Sequence, residues 1–170
     1  MTAMPSSRAT VLVVVAVLTL LLAGCNPFVS HRSLGVSATD VAEIEFYDYT
    51  WGVDARTIDR LTIVNDRANR EVIDDLLRMF TDMPTTAVSA GARDDAVGAQ
   101  ALGVRYTLED GSNVEVTRVL IERYDIIVIW PDGTASHTEW GSPDTFDYYS
   151  EFGTVEQVDA SERPQAELPR

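Results

Sequence analysis

Residues 101–121, ALGVRYTLEDGSNVEVTRVLI, decide how the rest of the chain folds. In the first half Leu102, Val104, Tyr106 and Leu108 alternate with Gly103, Arg105, Thr107 and Glu109. That period of two is the mark of a strand with one face buried. Asp110-Gly111 is a tight-turn pair, because these residues accept the backbone angles of a two-residue hairpin loop. The stretch SNVEVTRVLI therefore returns as the antiparallel partner.

Further along, YDIIVIW, then Pro131-Asp132-Gly133, then TASHTEW describe a second hairpin. The unbroken apolar run Ile126 to Trp130 predicts a strand covered on both faces or central in its sheet. Upstream, VAEIEFYDY (41–49) alternates Ala42, Ile44 and Phe46 with Glu43, Glu45 and Tyr47, and RTIDRLTIV (56–64) reads as its neighbour. Asn65-Asp66 offers capping side chains to a helix over 67–82 that ends at Pro84. Its apolar positions Val72, Ile73, Leu76, Leu77 and Phe80 form one stripe, and Arg70, Glu71, Asp74, Asp75 and Arg78 occupy the opposite side. Residues 85–100 are small and polar and read as a loop with room for a short edge strand. SPDTFDYYSEF (142–152) reads as a short helix closed by Gly153.

A single amphipathic helix cannot bury its stripe alone, and a mostly antiparallel sheet is the simplest surface for it. The expected fold is α+β, with five to six strands packed on one helix. The expected order is β-β-α-β-β-β-β plus a short C-terminal helix. The expected divisions are a leader over 1–24, a flexible segment over 25–39, one domain over 40–158 and a disordered tail over 159–170.

The N-terminus sets the cellular context. A start carrying Arg8 precedes the uncharged run TVLVVVAVLTLLLA (10–23), the layout of a secretory signal peptide. The run falls short of the ~20 apolar residues that span a bilayer. Leu22-Ala23-Gly24-Cys25 resembles the lipobox of bacterial lipoproteins. The resemblance implies that Cys25 receives a diacylglycerol on its sulfur and becomes the N-terminus after cleavage behind Gly24. It also implies a lipid-anchored protein on the extracytoplasmic side of the cell membrane. It concerns residues 1–25 alone. Residues 26–39, including His31 and Arg32, then read as a solvated tether.

Charge narrows the partners. All 13 basic residues are arginines, and they face 27 acidic ones, giving a formal charge of −14; removing residues 1–24 with Arg8 makes it −15. Nucleic acid is excluded as an expected partner, since phosphate binding needs clustered basic residues. Membrane contact is expected through the lipid alone. Cys25 is the single cysteine, so the fold must hold by packing, although its compartment permits disulfides.

The inventory for catalysis is thin. His137 stands beside Ser136 and near Glu139, without the G-x-S-x-G frame of a nucleophile elbow. One histidine and no cysteine in the folded body give zinc little to bind. The acids Asp94, Asp95, Glu109, Asp110, Asp144 and Asp147 do not follow the spacing of a calcium loop. No metal or cofactor is expected. The aromatic residues Tyr47, Tyr49, Trp51, Trp130 and Trp140, joined by Tyr124, Tyr148 and Tyr149, have the polar-tipped character of recognition surfaces. They would either line a groove for a glycan or envelope protein, or complete the core. The leading expectation is a non-enzymatic binding or accessory domain. The alternative is a small envelope hydrolase using carboxylates near 94–95 and 144–147, if the fold brings them into one cleft.

Overall fold

The computed structural model describes residues 29–89 and 91–168. Seven strands form one wholly antiparallel sheet. They are β1 (Val41–Thr50), β2 (Thr57–Val64), β3 (Gln100–Leu108), β4 (Asn113–Glu122), β5 (Asp125–Ile129), β6 (Ala135–Thr138) and β7 (Thr154–Asp159). Their spatial order is β6-β5-β4-β3-β1-β2-β7. The expected α+β class holds. The strand count exceeds the expected five to six because residues 154–159 extend along the free edge of β2, pairing Ile58 with Val158 and Arg60 with Glu156.

Both turns form where the sequence places them, but the first is one residue longer than the expected two-residue loop, with Glu109, Asp110 and Gly111 between Leu108 and Ser112. Leu108 N–H donates to Ser112 O across the first, with Gly111 at positive φ, and Trp130 N–H donates to Thr134 O across the second. Helix α1 (Arg70–Asp82) buries Ile73, Leu76, Leu77 and Phe80 against one sheet face. The helix starts three residues later than expected. Asp66 Oδ1 accepts from the amides of Ala68 and Asn69 in a leading turn. Asn65 instead donates to the carbonyls of Ala38 and Val41. On this face α1 meets Ile44, Phe46, Leu61, Ile63, Val104, Val116 and Val128. Helix α3 (Thr145–Tyr149) closes the same face through Phe146, with Tyr149 stacked on Phe46 at 5.8 Å between centroids.

The other face is covered too, which the expected packing of a sheet on one helix does not provide for. After α1 the chain binds the edge of β6, where Thr86 pairs with His137. Helix α2 (Ala92–Asp95) then places Ala92 and Ala96 against Ala101, Val119, Ile127 and Ile129 on the second face. Residues 160–168, expected as a disordered tail, finish the cover. Ala160 packs with Tyr47, Ile58 and Val158, and Leu168 is buried among the α2 cluster. Pro164 sits over Gly103, and a Cβ there would lie 3.0 Å from Pro164 Cδ. This strap explains the apolar run of β5: Ile126 and Val128 face α1, and Ile127 and Ile129 face the strap side.

Residues 29–38 are not a free tether either. Ser30 pairs with Thr85, and Leu34, Val36 and Ala38 pack on the α1-side core. Arg32, expected to be solvated, lies 4.7 Å over the Trp130 ring and pairs with Asp132 at 2.6 Å.

Candidate binding site

The five aromatic residues expected as one surface are divided between the two sides of the sheet. Tyr47 is fully buried beneath the strap, and Tyr49 stacks on Trp51 with Arg163 lying 4.8 Å over it. Trp130 is buried on the α1 side, edge-on to Phe80, its Nε1 donating to Ser136 Oγ at 3.1 Å. Only Trp140, at 53% exposure, reaches solvent freely. Register explains the division: Tyr47 and Tyr49 lie opposite Ile44 and Phe46, so whatever covers the second face covers them. Cys25 and its neighbours Leu22, Ala23 and Gly24 lie outside the described residues.

The groups considered for chemistry are equally separated. His137 closes an edge: Nδ1 contacts Thr86 Oγ1 at 3.2 Å and Nε2 contacts Asp125 Oδ1 at 3.1 Å. Ser136 serves Trp130 on the other side of the same strand. Asp94 and Asp95 sit on α2 against the strap side, whereas Asp144 precedes α3 and Asp147 lies within it on the α1 side. Asp110 and Asp132 cap their turns. Asp132 Oδ1 accepts from the amide and hydroxyl of Thr134, which with Arg32 holds its carboxyl at about 2. Among the described residues, no three His, Cys, Asp or Glu side chains gather as metal ligands.

One charged group is buried on the strap side with its partners. Glu45, 8% exposed, receives Arg60 at 3.1 Å, Arg105 at 3.2 Å and the Tyr47 hydroxyl at 3.0 Å. Arg105 also reaches Glu115 and the carbonyl of Glu162, and Arg60 reaches Glu156 and the Glu162 carboxylate. Burial, then the Glu45 charge, pushes the Tyr47 phenol up to about 12. Every charge in this network has an opposite charge beside it, although Arg60 Nε has no hydrogen-bond partner. The network ties the turn at Glu162 to β1, β2 and β3, which is a structural task.

Arg118 is different. It lies on β4 between Leu102 and Val128, facing α1, and is 4% exposed. Nη1 donates to Thr145 Oγ1 at 3.3 Å and approaches Met79 Sδ at 4.0 Å, and Nε has no partner. None of the ion pairs among the described residues includes it. Burial lowers its pKa, and the titratable groups bearing on it are the phenols of Tyr106 and Tyr149, both shifted upward by burial. An arginine does not lose its proton in a protein, so a full positive charge is held there. The effective penalty for burying such an ion is several kcal/mol unless something offsets it.

Beside it lies a pocket of about 20 Å³. Leu102, Leu120, Ile126 and Phe146 form its apolar walls, Arg118 and Thr145 supply its polar groups, and Gln100 and Ser142 stand exposed at its rim. Gly141 is what lets the guanidinium fit: a Cβ there would come within 1.8 Å of Nη2, and its φ of 152° suits glycine. Sequence reasoning passed over Arg118. The signal was its alternation with Val116 and Leu120, which places a charge on an apolar face. No family model, curated protein or solved structure matches the chain.

Proposed function

We propose that this is a lipid-anchored extracytoplasmic domain that binds a ligand or an envelope partner without catalysis. The Arg118 pocket carries the binding half: a buried cation, a neutral hydroxyl and apolar walls meet at a rim open to solvent. Such a set recognises and orients a ligand but offers no base or nucleophile to transform it. The hydrolase alternative loses support, because its two acidic pairs stand on opposite sides of the sheet.

The anchoring half rests on Leu22-Ala23-Gly24-Cys25 following an apolar run. Among the described residues no helix is long and apolar enough to cross a membrane. A diacylglycerol supplies two chains, enough for stable attachment where one is marginal. Only Asn26, Pro27 and Phe28 separate Cys25 from Val29, where the docked N-terminal segment begins. At most about 3.6 Å per residue, the body would stand within roughly 14 Å of the anchor. The edge carrying Ser30, Arg32 and Thr85 would then face the bilayer.

Cys25→Ala tests the anchor. The expected product is an unlipidated, unprocessed precursor. Full processing with retention in the membrane would contradict the proposal.

A further inference from the structure

We infer that the pocket at Arg118 binds a compact monovalent anion, either a free halide or the carboxylate head of a small organic acid. The inference rests on the reading of this pocket as a binding site and is independent of the anchor at Cys25.

Among the described residues no acidic side chain lies within ion-pair distance of Arg118. Its described neighbours are a thioether, a hydroxyl, a glycine backbone and neutral phenols. The residues outside the description do not supply an acidic side chain either: residues 1–28, Ala90, Pro169 and Arg170 include no Asp or Glu. In a chain with 27 acidic residues, a buried arginine that forms no ion pair among the described residues points to an external anion.

Size and lining define its class. A space of about 20 Å³ is enough for one water-sized group, which fits a halide or the oxygen end of a carboxylate. A single positive charge matches a single negative one. Walls made of Leu102, Leu120, Ile126 and Phe146 cannot replace the water shell of a multiply charged anion such as sulfate. They do suit the short apolar stem of an aliphatic acid, which would leave past Gln100 and Ser142. Thr145 Oγ1 already donates to the carbonyl of Ser142, so the hydroxyl holds the rim loop to the charged floor.

The test uses the purified full-length chain in detergent, in a sulfate buffer whose doubly charged anion the apolar walls exclude. Chloride-35 NMR line width is followed against chloride, then against added acetate, and the thermal midpoint is recorded in each titration. Expected are saturable broadening and a midpoint that rises by a few degrees with saturation. Relief of the broadening by acetate assigns the site to a carboxylate; indifference to acetate assigns it to halide. Arg118→Met, close in length and uncharged, should abolish the saturable response. Equal responses in the variant and the parent would reduce the effect to general salt and overturn the inference. So would the absence of any saturable response in the parent chain, a result that does not depend on whether the variant folds. Cys25→Ala should bind the anion unchanged, which separates failure of this site from failure of the anchor.

Discussion

Asp48 on β1 stands directly opposite Asp59 of β2, with Asp147 close enough to act on it, and its carboxylate accepts from Gln100 Nε2 at 3.1 Å. Burial first, then these two acids, raise its pKa in the fold. A raised carboxyl favours the folded state in its protonated form, so the associated stability is present at low pH and lost as pH rises through the folded pKa. Asp48→Asn should therefore stabilise the protein at neutral pH, by on the order of 0.5 kcal/mol, with the gain vanishing in acid. Urea unfolding at two pH values reads this. A loss of stability at neutral pH would show that the carboxylate is needed charged. Arg118 on the same face shows what was legible at this scale. A two-residue loop at Asp110-Gly111 would pair Arg118 with Gly103; the hairpin instead closes between Leu108 and Ser112 and pairs Arg118 with Leu102, so its place on the apolar face was readable only from its alternation with Val116 and Leu120. Its lack of a partner was not, because that depends on Thr145 and Gly141 arriving from far along the chain.

At the level of elements, α1 and the two hairpins were legible because each carries its own periodicity and turn residues. The strap over 160–168 and strand β7 were not. SERPQAELPR has no period, and it binds by single contacts: Pro164 on Gly103, Leu168 in the α2 cluster, Glu162 on Arg60. The segment over 29–38 did hold a signal, Leu34, Val36 and Ala38 spaced by two, obscured by polar residues between them. Ending the chain after Asp159 should cost at least about 3 kcal/mol, from Leu168 and the newly exposed Tyr47 face. It should also raise binding of a hydrophobic dye. Unchanged stability would mean that the strap is not a structural cover. Gly103→Val should reproduce part of the loss, about 1–3 kcal/mol, because its side chain must displace Pro164. An unaltered denaturation midpoint in that variant would show that the strap shifts without cost.

For the whole molecule, the sheet has helices on one face and a helix and strap on the other, so a small acidic domain holds together with no disulfide among its described residues. Docking of residues 29–38 bears on the proposed anchoring. The body would sit close to the membrane with its β6 edge nearest, and its formal charge of −15 without residues 1–24 would keep anionic headgroups from adding to the attachment. The Arg118 pocket opens beside α3, where the rim is free to meet a small acid. The central claim is the lipid-anchored placement of this domain, and mass spectrometry of the N-terminal peptide from the membrane-purified protein tests it most directly. The account predicts a peptide beginning at Cys25 with the mass of a diacylglycerol on its sulfur. An unmodified Cys25 still preceded by residues 1–24 would contradict it.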